Sequence, residues 1–478
     1  MAGKTTAGPA DDKLSKAQML GLAAMAVGVL IIANDFTALS VAIPAIEKDF
    51  GVSLTTAQWV INGYAMVFGV LIVTGGRLAD MFGRRLGFFV GAAIFAFFSF
   101  IGGVAPDIWL LLASRFLMGV GGALMWPAIL GMTYGLLPES KKGLAGGIIL
   151  GAAGFGNAVG PLIGGVLTDA ASWRWIFFLN LPIAAFGVLV TWLVVPKEEG
   201  TRADHKIDFG GIAVLSAGLI ALLLALDEGT DLGWLDVRII GLFVVAVLAL
   251  TGFVLVERRA GSHALVPRDV LENREFAAAA LAVLLMSALF FAALLYLPQF
   301  MMKRLDYSAI EAGAGLLPMM GLFAATSFIA GPLYNRLGPK IVITAGAIAL
   351  TIGMFLLSRI EQSSPYGDLV PGMAVLGVGV GLFYSSITTA GVTALDKSRA
   401  SLAGAIIYMA QIAGGSIGLG LNTAIVVSNP VLADGIATAF LVDACLAIAG
   451  LLVAVFFVGG KFDREKLEGM VHYHRGHG

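Results

Sequence analysis

Fourteen apolar stretches, each long enough to cross a bilayer, run through this chain at roughly 18–45, 54–76, 86–105, 108–135, 144–168, 175–195, 209–226, 237–256, 276–301, 309–332, 340–358, 369–392, 401–428 and 434–459. In hydrocarbon every backbone amide must be satisfied within the chain, so such stretches fold as helices. With 58% hydrophobic and 13% charged residues and a mean hydropathy of +0.92, the chain has more apolar surface than a soluble core can hide. The expected fold class is an all-α polytopic membrane protein. A net charge of −1 argues against a nucleic-acid partner. Cys445, the only cysteine, allows neither a disulfide framework nor a thiolate metal site.

An even number of spans puts both termini on one side. With that side cytoplasmic, the inner segments hold 23 of the 30 Lys and Arg residues. The outer loops hold Lys48, Arg174, Arg238, Lys303, Arg304 and Arg359, and Arg115 lies within a span. The first stretch is too long for a signal-peptide core and shows no cleavage site, so it reads as a retained span. With no organelle signal, a bacterial inner membrane is the expected location.

An internal repeat sets the organisation. Gly76, Leu78, Asp80, Gly83 and Arg85 recur as Gly331, Leu333, Asn335, Gly338 and Lys340 at an offset of 255. Leu144-Ala145-Gly146, Gly156 and Gly160 recur as Leu402-Ala403-Gly404, Gly414 and Gly418 at an offset of 258. Repeats in one orientation imply two halves related by an axis along the membrane normal. Two halves of six spans joined directly would repeat at about 200 residues; the excess of about 55 is two further spans. The expected plan is a polar segment at 1–17, a six-helix bundle at 18–195, two extra helices with linkers at 196–275, a second six-helix bundle at 276–459, and a polar tail at 460–478.

Two segments stand out. Gly76-Arg77-Leu78-Ala79-Asp80-Met81-Phe82-Gly83-Arg84-Arg85 makes a tight inner turn rich in charge. Gly156, Gly160 and Gly164 share one helix face with Pro161 beside them. That smooth, interrupted helix suits a seam at which two bundles rock against each other.

The turn resembles the signature loop of the major facilitator superfamily. Asn34-Asp35-Phe36-Thr37 with Ala42-Ile43-Pro44, Arg115 with Gly119 to Gly122, and Gly156 to Gly165 resemble that family's drug:proton antiporters. Trp173-Arg174-Trp175-Ile176-Phe177 with Asn180 and Pro182, and the two extra helices, are similar to its fourteen-spanner branch. The resemblance implies a major-facilitator-like fold and multidrug efflux, and it makes Gly76, Asp80, Gly83, Arg84 and Arg85 a cytoplasmic gate. One position departs from the pattern: Met118 stands where the family commonly has glutamine.

Asp35 and Arg115 are the expected coupling residues. Counted along their spans, both sit roughly 12–16 Å deep from the outer side, so they can pair if their helices touch. Such a pair either fixes helix packing or acts as a switchable carboxylate, and the cost of intramembrane charge favours the switch. Asp35 would carry the proton and also attract a cationic substrate. Asp443, about 15 Å from the outer end of the last span, is either a second proton or cation site or a group facing a watery crevice. Tyr64, Asn157, Tyr296 and Gln299 are candidates to line the cavity, with interhelical hydrogen bonding as the alternative. Glu311 is expected in the first turn of a helix.

Gly3-Lys4-Thr5 lacks the upstream glycine and strand of a phosphate loop, so no ATP and no other cofactor is expected. His472, His474 and His477 read as a polar tail rather than a metal site. No histidine falls in a span, so no catalytic constellation is expected. The reading is a proton-driven exporter of amphipathic, cationic compounds, whose partners are substrate, protons and lipid; the alternative is a dedicated exporter of one endogenous metabolite, lipid or antibiotic.

Overall fold

The structure is a computed structural model that describes residues 14–197, 208–260 and 264–459. The segment Gly3-Lys4-Thr5 and the tail histidines lie outside the described residues. Among the described residues, fourteen helices are long and apolar enough to cross a membrane. The first bundle contains α1 (Lys16–Ala38), α2 (Leu54–Phe82), α3 (Arg84–Gly103), α4 (Ile108–Leu136), α5 (Gly143–Ala170) and α6 (Arg174–Val194). Two further helices follow, α7 (Phe209–Leu232) and α8 (Val237–Ala260). The second bundle contains α9 (Arg274–Arg304), α10 (Leu317–Leu337), α11 (Pro339–Leu357), α12 (Tyr366–Thr393), α13 (Ala400–Ser428) and α14 (Leu432–Phe457).

Local chemistry sets where these helices start. Ser15, Ser53, Asp107, Asp208 and Asn273 each accept a hydrogen bond from a first-turn amide. Gly83 (φ 102°) and Gly338 (φ 85°) break α2 from α3 and α10 from α11, at equivalent places in the repeat. The side on which α1 begins is called the terminal side below, and the opposite one the far side.

Two spans differ from expectation. The apolar run through Pro44 is not one helix: α1 stops at Ala38, a 3-10 turn spans Leu39–Val41, and Pro44 opens a separate helix, Ile43–Phe50. Pro44 falls in the first turn of this new helix, where its missing N–H has no partner to lose. The run from 309 likewise splits into a short helix, Ala309–Gly315, and α10, which begins beside Pro318. Glu311 completes the capping box of that short helix with Ser308.

The packing repeats between the halves. In the first bundle α1 packs on α5, α6 and α4, α2 on α4, and α3 on α4 and α6. In the second bundle α9 packs on α13, α14 and α12, α10 on α12, and α11 on α12 and α14. Across the divide α5 meets α10 and α2 meets α13, which are the same contact exchanged by the repeat. The symmetry fails at one place: α7 packs against both α2 and α13, on that seam alone.

Candidate functional site

A cavity of about 530 Å³ lies between the halves. Its first-half wall includes Thr37 near the far end of α1, Trp59 and Asn62 in the far half of α2, and Asn157 in α5. The second half supplies Phe290, Phe323, Gln411, Ser416 and Thr423. Leu223, Leu224 and Leu226 of α7 close the seam between α2 and α13, so one extra helix forms a wall of the cavity. Trp126 and Tyr408 lie at its terminal end with ring centroids 4.4 Å apart. No charged side chain lines this space among the described residues. Its polar groups are amides and hydroxyls set among aromatic faces, which suits an amphipathic guest.

The terminal side is closed by contacts that the repeat duplicates. Asp80 accepts hydrogen bonds from the amides of Ser401 (3.3 Å) and Leu402 (2.9 Å) at the start of α13. Asn335, its counterpart, accepts one from the amide of Gly143 (3.2 Å) at the start of α5. Each signature turn therefore caps a helix of the opposite half, where unpaired amides and the helix dipole favour an acceptor. Glycine makes the approach possible. A Cβ on Gly76 would lie 2.9 Å from the Ser401 carbonyl oxygen, and one on Gly331 would lie 2.9 Å from that of Gly143.

The arginines complete this closure. Arg84 donates to Asp80 (3.2 Å) and to the carbonyl of Gly131 (3.1 Å), and across the divide to the carbonyl of Lys397. Arg85 donates to the carbonyls of Val195 and Trp192 at the end of α6, while Lys340 donates to that of Val458 at the end of α14. A cation at a helix C-terminus is favourable, and the repeat uses it twice. Outside the membrane, Glu139 bridges Lys142 and Lys397, each at 2.6 Å. Those two ammonium groups, Lys142 first, hold its carboxyl down at about 2.

The sequence-derived pair is present. Arg115 Nη1 lies 2.5 Å from Asp35 Oδ2, and both side chains are fully buried. Asn180 donates to the other carboxylate oxygen at 3.1 Å. The guanidinium also donates to the Val60 carbonyl at 2.6 Å and lies over the Tyr64 ring at 4.4 Å. Met118 occupies the departing position and puts its sulfur 3.7 Å from Nη1. Because α1 ends early, Asp35 lies nearer the far end than expected: it is six residues from Val41 and Arg115 seven from Ile108, about 9 and about 10.5 Å respectively.

Four expectations need correction here. Asp35 does not line the cavity; Ala33 and Thr37 on the same helix do, and the carboxylate points into the first bundle. Direct attraction of a cationic substrate by Asp35 therefore has no geometry in this state. Tyr64 is buried as the platform beneath Arg115. Gln299 lies towards the far end of α9, 3.4 Å from the Lys303 ammonium. Asn157 lines the cavity, and Tyr296 sits one layer behind it, 2.6 Å from the hydroxyl of cavity-lining Thr423.

The glycine stripe also has a different partner. Gly156, Gly160 and Gly164 face α1 within their own bundle: a Cβ on Gly160 would meet the Thr37 hydroxyl at 2.0 Å, and one on Gly164 the Ala38 carbonyl at 2.0 Å. The seam with the other half uses earlier glycines of α5. A Cβ on Gly146 would meet the Ser385 carbonyl at 2.2 Å, and one on Gly147 the Ser327 carbonyl at 2.6 Å. The helix runs unbroken through Pro161. Helical periodicity puts the stripe on one face without saying which neighbour that face meets.

Asp443 is buried on the inner face of α14, so the crevice alternative falls. Its Oδ2 accepts from Asn422 of α13 at 2.8 Å. Sequence reasoning missed Asn422 as a site residue, although an amide inside an apolar span was a visible signal. Asn180 was noted only as part of a motif.

A symmetric pair of bundles around a central cavity, closed on one side, defines a membrane transporter. The chain belongs to the Major Facilitator Superfamily, whose family model matches residues 25–419 and 279–471. It is 34% identical over 448 residues to the puromycin resistance protein pur8 of Streptomyces alboniger, covering 92% of this chain and 88% of that one. It is 32% identical to the tetracenomycin C resistance and export protein of Streptomyces glaucescens (83% and 74% covered) and 29% identical to the multidrug transporter protein MdtP of Bacillus subtilis (86% and 75% covered). Among solved structures, the human organic anion transporter MFSD10 superposes with a TM-score of 0.66 at 14% identity, covering 91% of this chain and 99% of that one.

Proposed function

We propose that this protein is a secondary active exporter that exchanges inward-moving protons for an outward-moving amphipathic compound by alternating access. The terminal side is then the cytoplasm, as the Lys and Arg distribution supports. The described state faces outward, because its cavity lies towards the far side and Asp80, Asn335 and Arg84 tie the halves together on the terminal side. Relatives named for antibiotic resistance and export support the direction and the substrate class.

The observation that carries the mechanism is the buried pair Asp35–Arg115, placed one residue layer behind the cavity wall. A proton on Asp35 removes the charge that Arg115 faces, so protonation and pairing compete at one oxygen. Val60 and Tyr64 still hold the guanidinium when that happens. The helix that carries Asp35 rests on the glycine face of α5, where backbones touch and small shifts are transmitted. Ala33 and Thr37 join this helix to the cavity, so substrate and proton act on the same element. Coupling requires that each ligand favour a different state, since each can shift the equilibrium only by its differential affinity. The membrane voltage adds about 2.3 kcal/mol per charge per 100 mV.

The cavity walls carry no charge among the described residues, so an amphipathic cation would be held by aromatic faces such as Trp59, Trp126 and Tyr408. Relatives named for single antibiotics favour a second reading, a dedicated exporter of one compound. Proteoliposomes with a preset pH gradient test both. Collapse of the gradient by several unrelated lipophilic cations in wild type, and not in Asp35→Asn, supports proton-coupled multidrug export. Response to one compound only favours the dedicated exporter, and an unchanged response in Asp35→Asn removes Asp35 from the coupling.

A further inference from the structure

The second bundle holds a buried acid of a different kind. Asp443 lies about 16 Å from the far end of α14, eleven residues after Leu432, and is fully buried. Its one hydrogen bond comes from the Asn422 amide, at 2.8 Å. Asp443 Oδ1 and Asn422 Oδ1, the remaining oxygen of each partner, have no hydrogen-bond partner among the described residues.

Among the described residues the surroundings supply no counter-charge. Helix α14 packs against α9, α11 and α13. On α9 the charged groups stand at the two ends, Arg274 and Glu275 against Lys303 and Arg304. On α11 the only charge is Lys340, which is spent on the Val458 carbonyl at the terminal side. Helix α13 carries none, and α14 itself adds only Asp434 in its first turn and the exposed Cys445. Of the tyrosines on these helices, Tyr296 on α9 bonds through its hydroxyl to Thr423, next to Asn422, whereas Tyr408 on α13 stands fourteen residues from Asn422, about 21 Å along the helix.

An ionised carboxylate with one amide donor and no cation is among the costliest groups to bury. A proton resolves the arrangement. It removes the charge and turns Asp443 into a donor beside an amide oxygen that lacks one. A route to the cavity is short: Thr423, which lines the cavity, follows Asn422 in sequence and shares a 2.6 Å hydrogen bond with the Tyr296 hydroxyl.

We propose that Asp443 is a second proton-binding site of this transporter, loaded in the far-side-open state and reached from the cavity past Thr423 and Tyr296. The step is the addition of a proton from far-side water to a carboxylate oxygen, with the new O–H directed to Asn422. As a coupling site, it rests on the reading of the protein as a proton-driven exporter. As a proton site, it stands on the burial and hydrogen bonding alone.

Difference infrared spectroscopy on the full chain in proteoliposomes, without substrate, reads the proton directly. Wild type minus Asp443→Asn should show one carbonyl band of an un-ionised carboxyl, which fades as the pH is raised. Asn422→Leu keeps the carboxyl and should move the band, which covers the case in which the first variant does not fold. No such band, or a band that neither titrates nor moves with Asn422→Leu, overturns the proposal and leaves Asp443 as a fixed contact between α13 and α14. The two readings separate cleanly. If the band titrates while ethidium and a pH gradient show no exchange in wild type, the export reading fails and the proton site stands. If exchange occurs and the band is absent, the reverse holds.

Discussion

The two bundles share a scaffold and differ in their buried chemistry. Both cap a helix of the opposite half from the same turn, both seat a cation at the end of their last helix, and both pack their first helix on a glycine face. Yet the first bundle buries an acid beside an arginine, whereas the second buries an acid beside an amide. A repeated frame thus keeps the closing contacts equal on both sides and leaves the interior free to diverge. The proposed exporter would use the first property for alternating access and the second for coupling to a proton.

Breaking the first bundle's pair should have the largest effect. Arg115→Ala leaves Asp35 buried without its cation, at a cost of about 3–5 kcal/mol, to be read as a loss of thermal stability in detergent. Asp443→Asn, which replaces an acid without a cation by a neutral amide, should lose less than about 1 kcal/mol in the same assay. Equal losses would erase the distinction between the halves.

The scaffold symmetry predicts the next effect. A Cβ on Gly160 would lie 2.0 Å from the Thr37 hydroxyl, and one on Gly418, its counterpart in the repeat, would lie 2.3 Å from the Cβ of Ala288. Gly160→Val and Gly418→Val should therefore destabilise to a similar extent, by about 1–3 kcal/mol or more. A large cost on one side only would mean that the halves do not share this packing.

The caps should give a smaller effect than the buried pair or the glycine packing. Asp80→Asn replaces a carboxylate at the start of α13 by an amide, a change of about 0.5–2 kcal/mol. That weakens the terminal-side closure by roughly 2- to 30-fold. Asn335→Asp should strengthen the matching cap on α5. Spin-label distances across the terminal side should broaden towards opening in the first variant and sharpen in the second.

The sequence carried the count of spans, the repeat and the pairing of Asp35 with Arg115, because each leaves a trace in composition, spacing or depth. Other features left weaker traces. Membrane helices are apolar all round, so the glycine face of α5 could be located while its partner α1 could not. The caps formed by Asp80 and Asn335 join side chains to backbone amides of another half, and an amide has no residue signature. Pro44 is visible in the sequence, but an apolar run on both sides of it does not tell a proline inside a span from one that opens a separate helix, as it does here. That shift alone moved Asp35 several ångströms nearer the far side.

The most direct test of the account is the number of protons released when wild type and Asp35→Asn bind ethidium in weakly buffered detergent solution with a pH indicator. If Asp35 exchanges a proton for substrate, wild type should release protons as ethidium binds, and Asp35→Asn should bind while releasing fewer. Equal release from the two proteins would contradict the account and reduce the Asp35–Arg115 pair to a fixed element of helix packing.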